Sequence, residues 1–207
     1  MPKDAMLIDT SDLTMKQIEQ LYIRAKELKV DVSRVHSGDV SVYGALSEQI
    51  TILQKHDMDY QIIPGIPAYV EAAAQLKTEL TAPGQVQSVV LTRTSFGSTP
   101  MPDGEDLSTF ASTGATLVIH LSIRRLNYIY RELSPIIGDD ALVAVLYRIG
   151  WPDQHIIIDR LDNIASRVRE KKITRTALII TGKNFKKKSD LNSVLYDENF
   201  NHLFRPK

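Results

Sequence analysis

The sequence predicts an α/β protein of two domains, and three observations carry that reading. Short apolar runs such as residues 142–147 (LVAVLY) alternate with helix-length stretches such as residues 124–137, the order expected when strands and helices form an α/β layer. At 207 residues with 43% hydrophobic side chains, the chain is long enough to bury one large core or two smaller ones. A polar break, TELTAPGQVQ at residues 78–87 with Pro83-Gly84 inside it, is the best boundary. It divides the chain into domains at residues 1–83 and 84–207.

Residues 6–9 form a short apolar run, read as a strand. Thr14 followed three residues later by Gln17 fits a capping box. It opens a helix with Met15, Ile18, Leu21, Tyr22, Ala25 and Leu28 on one face. Residues 32–35 read as the next strand and residues 41–56 as the next helix. Residues 60–63 are a third strand, ending at Pro64-Gly65, and residues 68–76 an alanine-rich helix. Three parallel strands make a thin sheet, because such sheets are buried on both faces. The first domain is therefore expected to be an incomplete parallel layer, lacking at least one further strand–helix–strand unit ahead of Met1.

Beyond the break, strands are expected at residues 86–92, 116–121, 142–147, 156–158 and 176–181. Helices are expected at 107–111, 124–137 and 161–170, and a polar loop at 94–104. The tail carries Lys186-Lys187-Lys188, read as a solvated run.

Composition excludes several chemistries. Lys and Arg total 25, as do Asp and Glu, so no global field steers nucleic acid or an anionic membrane. The absence of cysteine excludes disulfides, thiolate metal sites and a cysteine nucleophile. The five histidines lie apart without ligand spacing, and GxSxG, HExxH and Walker patterns are missing. No run reaches the length of a membrane span, and the start MPKDAMLIDTSD lacks the pattern of a signal peptide. A cytoplasmic protein is expected.

The candidate site is built from corners. VHSGDVSVYG at residues 35–44 reads as a buried strand delivering Ser37-Gly38-Asp39 into a helix start, with a plain tight turn in which Ser41 or Asp39 caps the helix as the alternative. Three more strand-end loops resemble it: Pro64 with Gly65 and Pro67-Ala68, His120-Leu121-Ser122, and Arg148 with Gly150-Trp151-Pro152. If the strands are parallel, all four loops face one edge and line one crevice. Backbone and small residues dominate there, which suits an adenine-bearing cofactor. Arg93, Arg124, Arg125 and Arg148 also lie at strand ends, where guanidinium groups pair with carboxylates; surface ion pairs are the alternative.

The runs VHSGDVSVYGALSEQ, QIIPGIPAYVEAAAQL with ELTAPGQVQSVVLTR, TPMP at 99–102, RIGWPDQ at 148–154 and ITRTALIITG at 173–182 resemble, in order, the tetrapyrrole methylases of cobalamin biosynthesis, in the branch acting on precorrin-4 or cobalt-precorrin-4. The resemblance implies a two-domain fold, here a truncated parallel-sheet N-terminal domain plus a mixed-sheet C-terminal domain. It also implies a homodimer and S-adenosylmethionine-dependent methylation of carbon 11 of the macrocycle. Carried over by position, Ser37, Gly38, Asp39, Pro67, Ala68, Leu121, Gly150, Trp151, Thr176, Ala177 and Leu178 would contact the cofactor. Arg93 and Arg148 would meet substrate carboxylates. No residue is assigned as a general base. The family's opening GxGPGDP-type loop has no counterpart in the chain, Val40 stands where a proline is usual, and TSFGS follows Arg93 where the family carries an acidic residue and a Gly-Arg pair. The alternatives are an inactive truncated member, a methylase of another substrate, or a non-catalytic dimerisation module.

Overall fold

The computed structural model describes residues 4–95 and 99–185; the Lys186–188 run and the tail after it lie outside them. Contacts gather into two compact units, Met1–Pro67 and Ala68–Lys207.

In the first unit, α1 spans Met15–Leu28 and begins with the capping box read from the sequence. The Thr14 backbone N–H donates to Gln17 Oε1 at 2.8 Å, and the Gln17 N–H donates to Thr14 Oγ1 at 3.3 Å. Two of the orphan donors at the helix start are thereby satisfied. Ile18, Tyr22 and Ala25 are the buried face, whereas Leu28, expected on it, is exposed. Helix α2 spans Leu46–Lys55, five positions later than the start expected at Ser41. Tyr43 (φ 56°) and Ala45 (φ 50°) are left-handed, and a right-handed helix cannot run through such residues.

The strands expected at residues 6–9, 32–35 and 60–63 carry no ladder in the structure. Their apolar side chains lie open to solvent: Leu7 is 79%, Val35 87% and Ile63 74% exposed. Val35 therefore does not sit in a buried strand. β-prone residues supply a suitable pleat, but a strand exists only when a neighbour completes its hydrogen bonds.

The second unit opens with α3 (Ala68–Leu76), then β1 (Val89–Arg93), α4 (Leu107–Ser112), β2 (Thr116–His120) and a 3₁₀ turn at Ile123–Arg125. It continues with α5 (Leu126–Ile137), β3 (Leu142–Tyr147), β4 (His155–Arg160), α6 (Ile164–Glu170) and β5 (Ala177–Thr181). The strands form one mixed sheet in the order β1-β2-β5-β3-β4. The β1–β2 pair is parallel, and β5 runs antiparallel to β2 and to β3.

Alternation along the strands feeds two apolar faces. Leu117, Ile119, Val143, Val145 and Ile179 point into a core with α4, α5 and α6. Val118, Ala144, Leu146, Leu178 and Ile180 point the other way, onto α3. Strands buried on both sides read as continuous apolar runs, which is why this sheet was legible. The alanine-rich face of α3 places the fully buried Ala72 against that second face. The helix thus packs within the second unit, ahead of the Pro83-Gly84 break.

Candidate functional site

Strand directions decide which corners meet. β1 and β2 run together, and β3 runs with them because both β2 and β3 oppose β5. The carboxyl ends of β1, β2 and β3 and the amino end of β5 therefore share one edge of the sheet. Register agrees: Arg93 faces His120, and Tyr147 faces Ala177.

Along this edge stand Leu121 (φ 53°), Arg148 (φ 45°), Gly150 (φ 81°) and Thr176 (φ 52°). Left-handed residues with side chains cost free energy and gather where a site needs a particular backbone direction. Leu121 is 71% exposed despite being apolar. The Arg148 N–H donates to Thr176 O at 2.9 Å, so these two corners are tied to each other. Ala177 and Leu178 start β5 beside them, with Leu178 turned onto the α3 face.

The RIGWPDQ run forms two linked turns. Trp151 N–H donates to Arg148 O at 3.0 Å and Gln154 N–H to Trp151 O at 3.1 Å. Gly150 holds the third position of the first turn, where a type II turn needs positive φ. The Arg148 guanidinium lies 4.4 Å from the centre of the Trp151 ring, a cation–π contact, and its Nε donates to Asp153 Oδ1 at 2.8 Å. That bond holds the Asp153 carboxyl below its ordinary range. Trp151 remains half exposed.

Arg93 is engaged by its own loop: its guanidinium donates to the carbonyl oxygens of Thr94, Thr99 and Pro100 at 3.1–3.2 Å. Its neighbour Ser122, named from the sequence within a strand-end loop, was given no role there. This buried hydroxyl accepts from Thr94 N–H at 2.8 Å and donates to His120 O at 2.6 Å, stitching the ends of β1 and β2. A serine one step past a strand-end corner was the available signal. Burial lowers the pKa of His120 at the end of β2.

In the first unit the Ser37-Gly38-Asp39 corner and the Gly65 turn are brought together. Asp39 Oδ1 accepts from the backbone and the hydroxyl of Ser41, and Oδ2 accepts from Gly65 N–H at 2.7 Å. The Ser41 hydroxyl, the Gly65 amide and the Ser41 amide hold the Asp39 carboxyl below its ordinary range. A Cβ at Gly65 would come 2.0 Å from Gly38 O, so glycine is required for the close approach. Gly38 itself has φ 71°. Ser37 and Gly38 are exposed, Pro67 is half-buried, and Ala68 opens α3 against the second apolar face. Asp39 therefore closes a turn through Ser41 and grips Gly65, but neither it nor Ser41 caps α2, whose N-cap is Ala45 with no side-chain bond.

A groove of about 440 Å³ opens at the opposite edge of the sheet, beside Gly114, Leu117, Thr181 and Lys183. None of the residues selected from the sequence lines it.

Residues 3–165 match the family described as Tetrapyrrole (Corrin/Porphyrin) Methylases. The chain belongs to this family. A precorrin-4 C(11)-methyltransferase of Sinorhizobium sp is 42% identical over 204 residues, which cover 99% of this chain and 81% of that protein. A cobalt-precorrin-4 C(11)-methyltransferase of Methanocaldococcus jannaschii is 37% identical, covering 98% and 78%. Among solved structures, the cobalamin biosynthetic enzyme cobalt precorrin-4 methyltransferase, CbiF, superposes with a TM-score of 0.85 at 29% identity, covering 90% of this chain and 78% of that one. Uroporphyrin-III C-methyltransferase from Thermus thermophilus, complexed with S-adenyl homocysteine, shares the fold with a TM-score of 0.66 at 23% identity, covering 83% and 74%. The tetrapyrrole methylase match takes in the Asp39, Leu121 and Gly150 corners and stops short of Thr176, Ala177 and Leu178.

Proposed function

We infer that this chain is a methyltransferase that transfers a methyl group from S-adenosylmethionine to carbon 11 of precorrin-4 or cobalt-precorrin-4 in corrin-ring biosynthesis. The observation that carries it is 42% identity to a precorrin-4 C(11)-methyltransferase over 99% of the chain. Tetrapyrrole methylase membership and the likeness to CbiF support the same reading.

The sheet edge of the second unit fits the nucleoside part of such a cofactor. It offers exposed Leu121, half-exposed Trp151 and left-handed backbone at Gly150 and Thr176, apolar surface beside directed amide groups. Leu121, Gly150, Trp151, Thr176, Ala177 and Leu178 are proposed as contacts there, and Ser37, Gly38, Asp39, Pro67 and Ala68 as the further contacts. When bound, the cofactor supplies a sulfonium-activated methyl group, which passes to the ring carbon as the sulfur leaves as a neutral thioether. Such a displacement needs alignment more than proton transfer, and alignment supplies about 7–11 kcal/mol of a barrier. The chain's residues accordingly bind and orient.

Arg148 is proposed to meet a substrate carboxylate. Its charge is already shared with Asp153 and stacked on Trp151, which fixes the direction of its remaining N–H groups. Arg93 has the same proposed role and spends three of its donor contacts on loop carbonyls. The working protein is proposed to be a cytoplasmic homodimer; among the described residues no helix is long and apolar enough to cross a membrane. The decisive experiment incubates the protein with S-adenosylmethionine and precorrin-4, with and without cobalt, and follows product mass. One added methyl at carbon 11 is expected. A macrocycle of unchanged mass beside intact cofactor sinks the reading.

A further inference from the structure

The Gly150 corner owes its direction to a side chain outside every contact assigned above. Gly150 N–H donates to Gln154 Oε1 at 3.0 Å, an amide four residues along in the same pair of turns. The two ends of a peptide group point in opposite directions. With the Gly150 N–H turned toward Gln154, the carbonyl of Ile149, in the same peptide, must point away from it. Rotating that peptide converts one class of turn into another, so whichever side chain holds its N–H selects the face that presents the carbonyl acceptor.

Gln154 is itself oriented. Its Nε2 lies 3.5 Å from Gln75 Oε1, and Gln75 Nε2 donates to Glu71 Oε1 at 2.8 Å. An ionised carboxylate only accepts. Glu71 therefore turns the Gln75 amide so that its oxygen faces Gln154, which leaves the Gln154 oxygen for Gly150. All four groups belong to the second unit, and Glu71 and Gln75 stand on α3. The backbone at the site is thus referenced to a helix fastened to the sheet through Ala72.

We propose that Gln154 is a positioning residue that sets the orientation of the Ile149–Gly150 peptide, and through it the acceptor offered to the cofactor at that corner. The cofactor half of this statement rests on the function inferred above. The test uses the full chain and three variants, Gln154→Leu, Gln154→Glu and Gln75→Leu, with two readouts. The first is amide hydrogen exchange at Gly150 in the free protein, and the second is calorimetric titration with S-adenosylhomocysteine. In Gln154→Leu the Gly150 amide is expected to exchange about three- to tenfold faster, as loss of one ordinary hydrogen bond implies. Its dissociation constant for S-adenosylhomocysteine is expected to rise at least about fivefold, with the thermal midpoint nearly unmoved. Gln154→Glu keeps an acceptor oxygen and restores Gly150 protection, and Gln75→Leu falls between. Unchanged exchange in Gln154→Leu overturns the positioning role, as does unchanged affinity where the wild type binds. Failure of the wild type to bind overturns the cofactor reading instead, and the exchange comparison still decides whether Gln154 holds the peptide.

Discussion

The two units of this chain keep their shape by different means. The second is fastened by backbone ladders between strands whose side chains fill two apolar faces; Val118, Ile119, Ala144, Ile179 and Ile180 are fully buried. In the first, side-chain bonds tie loops and helices to one another. Asp39 grips Gly65, Arg34 Nε donates to Gln49 Oε1 at 3.1 Å, and the Tyr22 hydroxyl donates to the same oxygen at 3.1 Å. Glu19 pairs with Lys55 at 2.8 Å and lies 2.7 Å from His56 Nε2. Apolar content does not separate the units, since Leu7, Val35 and Ile63 are as apolar as any strand residue of the sheet. Completed pairing does. A β-prone segment buries its side chains only when a paired neighbour completes its ladder and another layer covers its face.

The sharpest break of this contrast is in the sheet. Ile179→Ala, in the central strand, is expected to cost about 2–5 kcal/mol, read as a lower denaturant midpoint of the sheet unit. Asp39→Ala should leave that midpoint in place and weaken S-adenosylmethionine binding at least about tenfold in calorimetry; equal affinity removes Asp39 from the site.

Acid separates the units by pH window. In the sheet, burial depresses the His120 pKa below 6.5, so the unfolded chain binds its proton first. The stabilisation is complete above 6.5 and is lost as pH falls through the folded value. In the first unit Asp39 and Glu19 are depressed below 3.8 and 4.5, Asp39 through Ser41 and Gly65, Glu19 through Lys55 and His56. Their stabilisation holds above those values and disappears only as pH drops through the lower folded ones. Denaturation followed from pH 7 to 5 should therefore show the sheet weakening first, and His120→Asn should flatten that slope. The smallest expected effect is Val35→Ala: at 87% exposure the stability change should stay within about 0.5 kcal/mol. A larger loss would mean that Val35 is covered in solution.

Several corners proposed for the site were legible as turns before folding was considered. Gly38, Gly65 and Gly150 mark corners by residue type alone, and the runs ending at His120 and Tyr147 announce strand ends by their apolar length. Gln154 escaped notice because its partner is a backbone amide, which leaves no trace in composition. The later start of α2 was hidden for a related reason. A side chain at Asp39 claims the Ser41 amide, and Tyr43 and Ala45 adopt left-handed φ that their residue types do not advertise.

The sequence by itself determined which segments of the second unit would be strands, where α1 would be capped, and which family the chain would join. Those properties depend on neighbours within a few residues, or on side-chain order along one segment. Tertiary structure alone decided that the ends of β1, β2 and β3 share an edge with the start of β5, that α3 covers that sheet, and that the apolar runs near Leu7, Val35 and Ile63 form no ladder. Each of these needs a partner far along the chain, and pairing between distant segments is an energy of the assembled whole rather than of any one stretch.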